Sequence, residues 1–237
     1  MNVLYLTSGE DPDEVIRERF LRAKGDPQRM FLLDVRRIMT DPKVPKQAQG
    51  LPVLPDDAAL IMDTARGLKV SLIILDVAYS FVSTKHDISS DHSLRAALEP
   101  FARTVADAGM TALGLRHLTK ARQQAQHAGI GAVAGTAVAR AVLVLNKDPK
   151  SSSTRLLGCT KLSYGAPHEG SLAFEVEAEG PLGAAWLSYS GTSEISASRA
   201  TRLARDERAS ESERVFAQLC TAFEGAFKGQ ERIPLRG

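Results

Sequence analysis

Two carboxylates in this sequence stand where a parallel α/β sheet places its chemistry, at the ends of apolar strands. Asp76 closes the run Leu72-Ile73-Ile74-Leu75, and Glu10 follows Val3-Leu4-Tyr5-Leu6-Thr7-Ser8-Gly9. In such sheets the crevice beyond the carboxyl ends of the strands is the binding site. A carboxylate at the tip of a buried strand can order Mg2+ beside a phosphate, and a second one nearby can take a proton from an attacking water. Each acid also has an ordinary reading. An aspartate after a strand starts a turn through local backbone hydrogen bonds, and Glu10 can simply offset the dipole of the helix that follows it. His117 and Lys120, in Gly114-Leu115-Arg116-His117-Leu118-Thr119-Lys120, end a third apolar run and could bind or sense an anion. A strand-end histidine is equally a polar tip.

The elements that must position these groups follow from periodicity. Val3 to Leu6 read as a strand ended by Thr7-Ser8-Gly9. Asp11 is an N-cap, Pro12 a first helical residue, and Asp13 and Glu14 are first-turn acids, which predicts a helix that turns Val15, Ile16 and Phe20 inward and stops near Gly25. Arg29 to Leu33 is a second strand. Residues 34–54 hold three prolines among aperiodic basic and amide side chains, which suits a solvated crossover. A helix over 54–69 leads into 71–76, too rich in Ile and Leu for an exposed strand and therefore central in the sheet. From Asp91 the spacing of Leu94, Leu98, Phe101 and Val105 gives one helical face, with Pro100 a candidate kink. Residues 110–115 are a further buried strand, 119–135 a Gly/Ala/Gln-rich loop, and 141–145 another strand.

This alternation predicts an α/β fold with a mostly parallel sheet and helices on both faces. Beyond residue 153, short strands at 156–160, 171–176 and 185–189 predict antiparallel hairpins that extend one sheet edge. The organisation expected is a core over 1–192 and a helical tail over 193–237, with Val215, Phe216, Leu219 and Phe223 on one face of a helix at 211–227.

Composition narrows the function classes. Thirty basic against 28 acidic residues give a net charge of +2, so any anion site must be local. Cys159 and Cys220 have neither a CxxC nor a CxxxH spacing, which gives no sign of a disulfide framework or a zinc site and fits a cytoplasmic location. No apolar run is long enough for a spanning helix, and the N-terminus lacks the basic flank and cleavage site of a leader. No membrane partner is expected.

Taken in order, Leu4-Tyr5-Leu6-Thr7-Ser8-Gly9-Glu10-Asp11-Pro12, then Ile73-Ile74-Leu75-Asp76, then Leu115 to Lys120, then Ala139 to Pro149 resemble the RecA-like ATPases. Within these the chain looks closest to the RepA-like hexameric helicases of plasmids and phages. The resemblance spans roughly residues 2–190. It implies that Glu10 activates the hydrolytic water and that Asp76 is the Walker B aspartate beside Mg2+. It implies that His117 is a polar sensor between the γ-phosphate and the nucleic acid, and that Lys161 is a basic finger reaching a neighbouring subunit's nucleotide. By local sequence Lys161 also reads as a solvated lysine ending an edge strand. ATP and Mg2+ would be the cofactors, single-stranded DNA a partner, and a homo-oligomeric ring the assembly. DNA would meet loops at 82–92 and 119–135, the second through Lys120 and Arg122. No aromatic interleaves that loop, so backbone electrostatics rather than base stacking is expected.

Two features depart from the family. No G-x-x-x-x-G-K-[ST] occurs in the sequence, and in the family that loop precedes the strand that begins here at Val3. The expectation is an N-terminally shortened, weakly binding or inactive form with an exposed apolar sheet edge and a tendency to self-associate. Ser163 stands where DnaB-type proteins carry an arginine two residues after the finger lysine, so the resemblance implies weaker trans-activation. Two other readings remain open: a degenerate, non-hydrolysing module for DNA or protein interaction, and an unrelated doubly wound protein. The last predicts that Glu10 and Asp76 are far apart or paired elsewhere, whereas the ATPase and the degenerate module place both carboxyls at one edge.

Overall fold

The structure is a computed structural model, and it describes residues 1–33, 51–117, 134–178, 185–204 and 206. The N-terminal half is built on a parallel four-stranded sheet. β1 (Asn2–Thr7) lies between β2 (Met30–Leu33) and β3 (Val70–Asp76), and β3 pairs with β4 (Thr111–Gly114), giving the order β2-β1-β3-β4. The register sets Thr7 opposite Asp76 and Leu75 opposite Gly114, so three strand ends finish level.

Alternation along β1 and β3 sends Leu4, Leu6, Ile73 and Leu75 to one face, where all four are buried. Helices α2 (Ala58–Gly67) and α3 (Asp91–Asp107) close that face with Ile61, Met62, Ala65, Phe101 and Val105. Each of the larger of these side chains contributes about 1.5–3 kcal/mol when fully buried, so this layer fixes the strands that carry the candidate site. The opposite face of the same strands presents Tyr5 and Asp76.

Local chemistry sets the element ends. The Asp11 carboxylate accepts from the backbone N–H groups of Asp13 and Glu14, starting a wide first turn at Pro12–Ile16 that runs on into α1 (Arg17–Arg22). It stops where the sequence predicts: Lys24 takes a positive φ of 60° and the Gly25 N–H returns to the Phe20 carbonyl at 2.9 Å. Helix α2 starts later than its sequence suggests. The Leu54 N–H donates to the Phe81 carbonyl at 2.6 Å, and Leu54 bridges in parallel to Val82, so tertiary pairing takes Leu54 out of the helix. Ser90 caps α3, which passes through Pro100 without ending.

Strand β4 differs from its reading as a buried strand. It is the sheet edge, and all four of its residues are exposed, Leu113 at 40%. An apolar run signals strand formation; what lies beside it is a tertiary matter.

The C-terminal strands do not extend the parallel sheet's edge. β5 (Ala141–Lys147), β6 (Thr154–Leu162), β7 (Ser171–Ala178) and β8 (Ala185–Ser193) form a separate antiparallel sheet in sequence order. β5 pairs with its hairpin neighbour β6 rather than with β4, because the connection to β6 is short and local. A short helix, α4 (Ala134–Val138), precedes β5 and lies against α3. Helix α5 (197–204) covers one face of this second sheet, with Ala197 and Ala200 buried near Leu156 and Ala173. Gly158 permits that approach, since a Cβ there would stand 2.6 Å from the Ala197 Cβ. The expected helix at 211–227 lies outside the described residues. Among the described residues no helix is long and apolar enough to cross a membrane.

Candidate functional site

Because β1 and β3 are adjacent and parallel, their ends meet at one sheet edge. The Ser8 N–H donates to the Asp76 backbone carbonyl at 2.9 Å, which ties the turn carrying Glu10 to the tip of β3. Tyr5, on the polar face of β1, donates its hydroxyl to Asp76 Oδ2. The phenol is held well above its ordinary pKa, first by burial, then by the hydrogen bond to Asp76, and then by the negative charges of Asp76 and Glu10, while Arg19 pulls the other way. All four groups therefore share one electrostatic neighbourhood.

Glu10 is held from the helix that follows it. Arg19 Nη1 donates to Glu10 Oε1 at 2.9 Å and to Oε2 at 2.7 Å. Both side chains remain about half exposed, 53% for Arg19 and 44% for Glu10, so the pair contributes only about 0–1 kcal/mol and is readily opened. A carboxylate held this way must turn one oxygen off the guanidinium before it can take a proton from water.

β4 brings its own strand end to the same edge. The Leu115 N–H donates to the Leu75 carbonyl at 2.9 Å and the Ala78 N–H to the Leu115 carbonyl at 2.8 Å, with exposed His117 two residues farther along. Arg116 turns toward α4: its Nη1 donates to the Tyr79 hydroxyl at 3.1 Å and its Nη2 to Thr136 Oγ1 at 2.7 Å.

Lys161 lies apart from this cluster, on β6. Its Nζ donates to the backbone carbonyls of Thr136, Ala137 and Ala139 at 2.8, 2.9 and 2.7 Å. It satisfies the otherwise orphaned C-terminal carbonyls of α4. Arg116 and Lys161 thus hold α4 from two sides and link the two sheets. Lys120 and Arg122 lie outside the described residues.

Sequence reasoning missed Tyr5, Arg19, Arg116 and Thr136. Tyr5 had one available signal, a hydroxyl-bearing side chain on the strand face opposite Leu4 and Leu6. Arg19 had none, because its approach to Glu10 depends on how the chain reverses between β1 and α1.

Mg2+ with a nucleotide is commonly held by one or two protein carboxylates together with the phosphates. Asp76 suits the protein part: among the described residues Tyr5 occupies Oδ2 and no donor reaches Oδ1. No group of three or more His, Cys, Asp or Glu able to hold a metal alone occurs among the described residues. The motif G-x-x-x-x-G-K-[ST] does not occur in the sequence.

A family model described as an AAA domain matches residues 1–123, the segment that carries β1 to β4 and all three of Glu10, Asp76 and His117. No curated protein matches the chain.

Proposed function

Because the chain belongs to the AAA-domain family, an ATPase-type family whose members usually bind nucleotide with Mg2+, we propose that it is the RecA-like core of an ATPase that couples hydrolysis to single-stranded DNA. The setting proposed is cytoplasmic replication of a plasmid- or phage-like element, in a helicase of the RepA-like kind. One observation carries the reading: Glu10, Asp76 and His117 end three neighbouring strand segments at one edge of a parallel sheet, within the matched segment.

In this reading Asp76 offers a carboxylate oxygen to Mg2+ and the Tyr5 hydrogen bond fixes its orientation. Glu10, released from Arg19, accepts a proton from the attacking water. His117 reports the phosphate state to the DNA-facing loop. Bound Mg2+ would supply charge neutralisation at the transferring phosphate. The loop that would cradle the phosphates is not in these 237 residues, so tight binding and turnover are assigned to a longer form of the chain, and weak or no binding to these residues alone. Ring assembly and the Lys161 finger belong to the same proposal. The finger requires that Nζ leave the α4 carbonyls.

The test is to translate the reading frame upstream of Met1 and measure ATP binding and hydrolysis by the extended protein and its Glu10→Gln variant. An added phosphate loop, with turnover at least about 100-fold lower in Glu10→Gln and ATP binding intact, supports the assignment. Undiminished turnover removes Glu10 from the base role. An extended protein that binds no nucleotide favours the second reading, a non-hydrolysing interaction module, for which the missing phosphate loop is the specific observation.

A further inference from the structure

Among the described residues six polar side chains are buried: Thr7, Ser83, Thr136, Asn146, Thr154 and Ser171. Five of them bond other groups of the protein. Ser83 Oγ accepts from the Lys85 N–H at 3.5 Å and Thr136 Oγ1 from Arg116 at 2.7 Å, while Asn146 Nδ2 donates to Thr201 Oγ1 at 3.0 Å. Thr154 Oγ1 donates to Glu175 Oε1 at 2.6 Å and Ser171 Oγ to the Ile195 carbonyl at 2.7 Å. Thr7 is the exception. It is 7% exposed, and among the described residues its hydroxyl makes no hydrogen bond. An unpaired buried hydroxyl costs about 1–3 kcal/mol, so a group from outside the chain must offset it.

Position says which group. Thr7 is the last residue of β1, and its register partner on β3 is Asp76. Register partners in adjacent parallel strands turn their side chains to the same face, so Thr7 shares with Tyr5 and Asp76 the face opposite Leu4 and Leu6. Asp76 Oδ2 takes the Tyr5 hydroxyl, and among the described residues no donor, Thr7 included, reaches Oδ1. An unpaired carboxylate oxygen and an unpaired buried hydroxyl therefore stand on neighbouring strand ends and face the same way. Ser8, the next hydroxyl along, is already committed: its N–H and its Oγ both reach the Asp76 carbonyl, at 2.9 and 3.4 Å.

We infer that Thr7 is a positioning residue for a divalent cation at Asp76, its hydroxyl supplying the second protein oxygen. A cation of the Mg2+ kind takes oxygen ligands and keeps several waters, so one carboxylate and one hydroxyl are a sufficient protein share. The site then spans two strands, and the cation is fixed against β1, which leads to Glu10, as well as against β3. The inference rests on the metal role proposed for Asp76 and adds a residue to it.

The 237-residue chain itself serves for the test, with Mn2+ as the probe. Paramagnetic broadening of backbone amide signals detects binding even at millimolar affinity. Mn2+ should broaden the amides around Thr7 and Asp76 selectively. Thr7→Val keeps the β-branched shape and removes the hydroxyl; it should weaken Mn2+ binding about tenfold or more. Its melting temperature without metal should be unchanged or raised, because no bond within the chain is lost. Thr7→Ser should restore most of the affinity, and Asp76→Asn should abolish the site. Binding unchanged in Thr7→Val but lost in Asp76→Asn would overturn the inference and leave the metal role of Asp76 standing. A lower melting temperature in that same variant would then place the hydroxyl's partner within the chain. Binding unchanged in Asp76→Asn, or no selective broadening at millimolar Mn2+, would overturn both.

Discussion

The Tyr5 hydroxyl on β1 donates to the Asp76 carboxylate on β3, so the candidate metal-binding acid is oriented by the neighbouring strand that also leads to Glu10. Tyr5→Phe should leave the fold intact and lower stability by about 1–2 kcal/mol at neutral pH, the scale of a half-buried hydrogen bond to a charged acceptor. Urea unfolding measures it. The pH dependence has a definite sign. Tyr5 holds its proton more tightly folded than unfolded, so its contribution is complete below about pH 10, where an unfolded tyrosine titrates, and is lost as the pH rises above that toward the folded value. The gap between wild type and Tyr5→Phe should therefore be constant from pH 6 to 9 and shrink above pH 10.

Lys161 gives a prediction that separates two roles. Its ammonium group holds three carbonyls at the end of α4, so Lys161→Ala should destabilise the chain by about 1–2 kcal/mol even without nucleotide. A lysine acting only on a neighbour's nucleotide would leave the melting temperature of the isolated chain unchanged.

Gly158 lies under α5, where a Cβ would stand 2.6 Å from the Ala197 Cβ and 2.9 Å from the Ala197 backbone nitrogen. Gly158→Val must push the helix off the sheet. A loss of about 1–3 kcal/mol is expected, with faster hydrogen exchange concentrated in 197–204. Unchanged exchange there would show that α5 docks otherwise.

DNA contact by the loop after β4 is tested in the extended protein. Replacing Lys120 and Arg122 by Ala should weaken single-strand binding uniformly across sequences and reduce the magnitude of the log–log salt slope by about 1.4, two phosphates at roughly 0.7 each. An unchanged slope removes both residues from the DNA contact.

Much of the fold is legible in the sequence because its signals are local. Asp11 and Pro12 start their helix and Gly25 marks its end, and the apolar run Leu72 to Leu75 signals a strand. The strand ends at Glu10, Asp76 and His117 were readable for the same reason, as were their residue types. Tertiary structure decided what no window of sequence contains. It set β4 at the sheet edge, closed the C-terminal hairpins into their own sheet, drew Leu54 from α2 into a bridge with Val82, and turned Lys161 onto the carbonyls of α4. Most consequentially, it placed Tyr5 on Asp76 and Arg19 on Glu10. Residue type fixes which groups can donate, accept or carry charge. Which of them meet depends on strand register and chain reversal, and those are set by packing summed over the whole core rather than by any one side chain.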